Sequence, residues 1–229
     1  MNNQILQETN NLKQFIELYK HCKDASHISK VNNEEKRVFS LKTGLPIRFG
    51  CSKKLIDYIP EREALYDFWR DNKYFWIIPL EILPSKVYGF ILRGYEKSYN
   101  VFRITNNLPV LFGLYDFKDF EFGSSTPILL TEGVKDALVL KTLYPYTLSL
   151  NTAGLTVNSV QVVSSLSNEF ILLYDNDKPG REAAERDMNT LKDLSCKVQN
   201  IIPVYKDVGK YINNPTQLKI LYSTIKQYF

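Results

Sequence analysis

F-I-L-L-Y-D-N-D-K-P-G-R-E-A-A-E-R-D, residues 170–187, runs from an apolar segment into two aspartates one residue apart, then Pro-Gly, then a strongly helical sequence. Two carboxylates held close repel each other and raise one another's pKa unless something offsets the charge. Alternate side chains of an extended segment point the same way, so Asp175 and Asp177 can face one cation together. A hard, oxygen-seeking ion such as Mg2+ or Mn2+ removes the repulsion, taking one or two carboxylates and keeping its other positions for water or phosphate oxygens. The plainer reading is that an Asp after a strand serves a turn or caps a helix. Gly180 lets the backbone turn tightly into the helix, and Glu182 and Glu185 suit its first turns through the helix dipole.

Outward from this stretch, residues 127–229 alternate between two periods. PILLTEG, YTLSLNTAG, EFILLYDND and KVQNIIPVY read as strands, with VKDALVLKTLY, VNSVQVVSSLS and GREAAERDMNTLKDL as helices between them. Strands joined by one-helix crossovers form a parallel sheet with helices on both faces, so the fold class is α/β. PTQLKILYSTIKQYF reads as a closing helix.

In open α/β sheets ligands bind at the carboxyl ends of the strands, where loops gather and helix N-termini point inward. The acids fall at those ends: Glu132 after PILLT, Asp175 and Asp177 after EFILLY, Asp207 after NIIPVYK, with Asp136 one turn beyond Glu132. If the strands are neighbours, as short right-handed crossovers favour, acids distant in sequence converge on one patch.

The first half differs. Ile5, Leu6, Leu12, Phe15, Ile16 and Tyr19 have the spacing of a helix with one apolar face over residues 4–22. A turn is expected at Gly44–Pro46 and a short helix around Glu61–Arg70. KYFWIIPLEIL, KVYGFILRGY and YNVFRI, separated by Pro, Gly and Asn, read as strands. The loop FKDFEFGSSTP is the expected boundary, dividing the chain into residues 1–126 and 127–229.

Composition narrows the class without naming a function. A chain of 229 residues, 44% hydrophobic and 13% aromatic, can bury a real core. A net charge of +4 permits nucleic-acid binding and does not require it. Cys22, Cys51 and Cys196 lie far apart, outside any C-x-x-C pair, and His21 and His27 do not complete a zinc site. The cysteines are therefore expected as free thiols. The polar start MNNQILQETNN and the short apolar runs predict an intracellular, cytoplasmic protein with no membrane association.

The order T-E-G-V-K-D, then Y-D-N-D-K-P-G-R-E-A-A, resembles the TOPRIM domain shared by bacterial-type primases, type IA and II topoisomerases and several nucleases. The resemblance spans about residues 127–212. Ahead of it, V-Y-G-F-I-L-R (87–93), K-S-Y-N (97–100) and L-F-G-L-Y (111–115) resemble the catalytic core of DnaG-like primases, and N-T-A-G-L-T (151–156) resembles that family's G-T motif. Together these imply a primase core over roughly residues 72–212, a TOPRIM domain preceded by a mixed helical and antiparallel-strand subdomain. Two departures stand out. Gly209 occupies the place of the second acid of the family's K-D-P-D stretch, and Asn107 falls near a basic residue of the usual ridge. The family's zinc-binding and helicase-interaction domains are not expected in this chain, which points to a phage or mobile-element protein, acting in a bacterial cell or phage-infected host, or to one relying on a partner for template choice.

The resemblance implies synthesis of short RNA primers on single-stranded DNA from ribonucleoside triphosphates, with Mg2+ or Mn2+ as cofactor and possibly a replicative helicase or a template-recognition protein as partner. Glu132, Asp175 and Asp177 are then the catalytic residues, with Asp207 joining them as metal ligands. Asp136 would hold a water or a nearby base, or be an ordinary first-turn acid. Arg93, Lys97, Tyr99 and Lys178 would contact nucleic acid or nucleotide, with Arg103, Phe102 and Arg181 as lesser candidates. A TOPRIM nuclease would use the same acids, and a degenerate TOPRIM would serve as a DNA-binding or regulatory module.

Overall fold

The computed structural model describes residues 2–24, 33–41, 45–58, 68–83, 86–94, 99–103 and 108–229. The expected turn at Gly44 and most of the expected helix around Glu61–Arg70 lie outside these residues. The chain divides into two compact units, residues 1–108 and 109–229.

The first unit is built on a five-stranded antiparallel sheet in the order β1-β2-β3-β4-β5: β1 Lys23–Asp24, β2 Arg48–Cys51, β3 Tyr74–Leu83, β4 Lys86–Gly94 and β5 Tyr99–Arg103. The three runs read from the sequence are β3, β4 and β5. Helix α1, Asn2–His21, uses its apolar face as its spacing predicts: Phe15, Leu18 and Tyr19 pack against Phe75 and Ile77 of β3 and Phe90 and Leu92 of β4. Arg48 donates to the carbonyls of Tyr19 and Lys20 at 3.0 Å, satisfying acceptors at the helix end. Helix α2, Asn33–Phe39, sets Phe39 against Trp76, whose side chain alternates to the face opposite Phe75 and Ile77. β4 is thus buried on both faces, which explains its unbroken apolar run V-Y-G-F-I-L.

The second unit carries a four-stranded parallel sheet in the order β7-β6-β8-β9: β6 Ile128–Thr131, β7 Thr147–Ser149, β8 Glu169–Leu172 and β9 Lys197–Asn200. β6 and β7 are wholly buried, as parallel strands covered by helices require. The flanking helices are α3 Val134–Lys141, α4 Val157–Leu166, α5 Lys178–Asp193 and α6 Pro215–Ile225. α4 begins with a reciprocal capping box between Thr156 and Ser159. Residues ahead of β6 join this unit: Phe112 and Ser149 exchange backbone hydrogen bonds at 3.0 Å, and Asp116 pairs with the buried Lys141.

β9 stops at Asn200, short of the expected run to Tyr205. Pro203 has no N–H to continue a ladder, and its carbonyl is taken by the Asn176 side chain at 2.9 Å. Cys22, Cys51 and Cys196 are free, and burial pushes the Cys22 thiol up to about 12. Among the described residues no helix is long and apolar enough to cross a membrane.

Candidate active site

Strand order decides where the acids meet. The chain leaves β6 toward β7 on one side and returns to β8 on the other, so β6 and β8 flank the point where the connections diverge. At such a switch point the loops after the two strands separate and leave a crevice. Glu132 directly follows β6 and Asp175 lies just beyond β8. The Glu132 carboxylate accepts the Asp175 backbone N–H at 3.0 Å, joining segments 43 residues apart.

Helix α5 completes this corner. Asp177 is its N-cap, accepting the Gly180 N–H at 3.1 Å, with Pro179 in the first turn. Gly180 lies so close that a Cβ on it would stand 2.1 Å from the Asp175 carbonyl oxygen and 2.8 Å from the Glu132 carboxylate. Asp177 also pairs with Lys206 at 3.1 Å. Capping and cation binding were set against each other in the sequence, and the structure gives Asp177 the cap.

Asp136 and Asp207 adjoin from the other side. Asp207 accepts the Lys210 N–H at 3.1 Å and starts the short helical segment Val208–Asn213. Asp136, buried in the first turn of α3, accepts the Gly209 N–H at 2.6 Å. A Cβ on Gly209 would lie 3.2 Å from Asp207 Oδ1 and 3.3 Å from Asp136 Oδ1. The place of the absent second acid is therefore walled by two carboxylates. A longer acidic side chain there would add a third negative charge.

The electrostatics follow. Burial, then the charges of Asp207 and Asp177, raise the Asp175 pKa. Burial also raises Glu132, against the Asp175 N–H, which favours its ionised form. Asp136 is pushed up to about 7 by burial, with Asp175 and Asp207 adding to the effect. Asp177 is held below the usual range by the Gly180 N–H and by Lys206. The half-buried Asp175 side chain has neither a hydrogen bond nor an ion pair among the described residues.

That carboxylate, with Lys206 near but not bonded to it and acids beside it that repel it, fits a divalent cation. Among the described residues no three carboxylate, histidine or cysteine side chains form a ready-made metal cage. The donor set suits Mg2+ or Mn2+ held by one or two carboxylates with the remaining positions left to water or phosphate oxygens.

The expected nucleic-acid contacts are placed less uniformly. Lys178 is exposed, its side chain 83% accessible, with a 3.8 Å pair to Glu182. Arg181 donates to the Asn176 side chain at 2.9 Å. Arg93, in register with Trp76, is 7% exposed, donates to Glu35 at 3.0 Å and lies over the Phe39 ring. As it stands, its guanidinium serves the packing of α2 on the sheet. Lys97 and Asn107 lie outside the described residues. Tyr99 pairs with Arg93, and Arg103 with Gly89, through the β5 backbone, while their side chains lie outside the described residues, as does that of Phe102.

Sequence reasoning passed over Asn176, Lys206, Tyr174 and Asp187. Asp187 carried a readable signal, a charge within the buried stripe of Ala183, Ala184 and Leu191 on α5.

Residues 129–212 match a family model described as Toprim-like. The chain superimposes on the DnaG catalytic core with a TM-score of 0.64 and 19% identity, covering 97% of this chain and 79% of that one. Residues 129–212 are thus Toprim-like, and the chain has the fold of a DnaG-type primase core. A DnaG primase catalytic domain bound to single-stranded DNA is similar at a TM-score of 0.63 and 20% identity, covering 99% of this chain and 79% of that one. A curated relative, UPF0292 protein TK1411 of Thermococcus kodakarensis, is 29% identical over 84 residues, 37% of this chain. The match spans 62% of that relative's length.

Proposed function

We propose that this chain is the catalytic core of a DNA primase, making short RNA primers on single-stranded DNA from ribonucleoside triphosphates. The observation that carries the reading is the Glu132–Asp175 contact at 3.0 Å, which joins the ends of β6 and β8 into one acidic corner. Primase is favoured over nuclease because the likeness to primase cores extends beyond the TOPRIM half through the five-stranded sheet. A relative with that fold is bound to single-stranded DNA, which supports the same template here.

In this reading Asp175 and Asp207, with Asp177 once Lys206 releases it, hold Mg2+ or Mn2+. The ion, when bound, screens phosphate charge and lowers the pKa of the attacking 3′-hydroxyl. Glu132 would serve as a further ligand of the same ion, and its affinity for a proton, raised by burial, lets it also take the hydroxyl proton. The 3′-oxygen forms a bond to the α-phosphate of the incoming triphosphate as the bond to pyrophosphate breaks. Lys178 and Lys206, both exposed beside Asp177, supply positive charge for the triphosphate. A helicase or template-recognition partner belongs to the same proposal.

The test is incubation of the protein with single-stranded DNA, the four ribonucleotides and Mg2+ or Mn2+. Short oligoribonucleotides that vanish in Asp175→Ala are expected. Degraded DNA would favour the nuclease, and neither product would favour a binding module.

A further inference from the structure

Asp187 has no part in the chemistry above, yet it is 1% exposed within the apolar stripe of α5. A carboxylate so placed is costly unless its oxygens are bonded. Oδ2 accepts the Tyr174 hydroxyl at 2.8 Å and the Leu155 backbone N–H at 2.6 Å, while Oδ1 accepts Arg186 at 3.1 Å. Arg186 reaches on to the Ala153 carbonyl at 2.8 Å. Between these anchors the backbone passes at Gly154, with φ of +110°, where a Cβ would stand 2.0 Å from Arg186 Nη2 and 2.6 Å from Asp187 Oδ2. The loop is seated directly on this pair.

The two segments that Asp187 ties together are those that hold the acidic corner. Tyr174 immediately precedes Asp175. The loop begins at Asn151, whose N–H donates to the Glu132 carbonyl at 2.8 Å, and the Ser149 hydroxyl reaches the same carbonyl at 3.2 Å. Glu132 is therefore gripped through its main chain from the loop and through its carboxylate from the Asp175 N–H.

We propose that Asp187 is a positioning residue, a buried clamp between the 151–156 loop and Tyr174 that presents Glu132 and Asp175 to a divalent cation in a fixed relation. The proposal rests on the cation-site reading above. Carboxylates ordered in advance bind an ion without first losing side-chain and loop freedom, so loosening the clamp weakens binding even though no ligand is changed.

Tyr174→Phe isolates this effect, because it removes one hydroxyl, alters no charge at neutral pH and keeps the ring. The probe is Mn2+ titrated into the full chain, with free ion followed by electron paramagnetic resonance and folding by circular dichroism and thermal melting. Folded Tyr174→Phe and Asp187→Asn are expected to weaken Mn2+ binding by about tenfold each, the scale seen for partners one step removed from a metal. The double variant should be no worse than the weaker single, since both open one clamp. Wild-type affinity in folded Tyr174→Phe overturns the proposal, leaving Asp187 a packing group. A wild-type chain that binds no Mn2+ defeats the cation-site reading itself, so the two failures are distinct. Should Asp187→Asn not fold, Tyr174→Phe decides alone.

Discussion

Asp136, buried at the start of α3, accepts the backbone N–H of Gly209 at 2.6 Å across 73 residues of sequence. This bond seats the Val208–Asn213 segment against the helix that follows Glu132, and so brings Asp207 to the acidic corner. The position that lacks the family's second acid thus holds the sheet's end together through its main chain.

Asp136 should make the metal-free protein less stable as pH rises. Its carboxyl moves from 3.8 to about 7 in the folded chain, so between those values the folded state holds more protons than the unfolded one. Stability is therefore greatest below about pH 4, falls through the range up to about pH 7 and then levels, a loss on the order of 4 kcal/mol for this group. Asp136→Asn, melted in chelator across that range, should show a flatter profile than wild type. Parallel profiles would contradict the assignment.

Gly180→Ala should damage both fold and site. The added methyl meets the Asp175 carbonyl oxygen at 2.1 Å, and backbone cannot swing aside as a flexible side chain can. A loss of about 1–3 kcal/mol is expected from overpacking. Thermal melting measures it, and primer synthesis should fall further than the residual folded fraction accounts for.

Asp175→Asn should separate stability from activity. The native carboxylate is disfavoured by burial and by Asp207 and Asp177, so neutralising it leaves the melting temperature unchanged or raises it. Synthesis should drop by about a hundredfold or more, as expected when charge stabilisation at a phosphoryl centre is lost. A destabilised Asp175→Asn would show that the charge serves the fold.

Arg93→Ala should lower the melting temperature, because truncation leaves Glu35 nearly buried without its guanidinium partner. Side-chain exposures of 8% for Arg93 and 15% for Glu35 place the pair in the range where breaking it costs about 3 kcal/mol. An unchanged melting temperature would mean the pair is solvent-screened.

The parallel half was legible because its signals are local. The apolar runs of β6 and β8 each lead into an acid, so strands, crossovers and the exits at Glu132 and Asp175 could be read together. What stayed hidden depends on partners remote in sequence. Asp136 reads as an ordinary first-turn acid until Gly209 is seated on it. Arg93 reads as a phosphate contact, and its pairing with Glu35, 58 residues earlier, appears only in the fold. Asp177 fits both a cap and a cation ligand by pattern, and only Gly180 N–H and Lys206 decide its present state. Asp187 was passed over because a charge late in an amphipathic helix resembles its solvated neighbours, although its phase matches Ala183 and Leu191.

The most direct measurement is Mn2+ binding to wild type, Glu132→Gln, Asp175→Asn and the double variant, each verified as folded. If carboxylates from β6 and β8 form one cation site, both single variants weaken binding, and their effects are not additive. Undiminished affinity in Glu132→Gln, or strictly additive losses, would mean that the two acids lie side by side without sharing an ion.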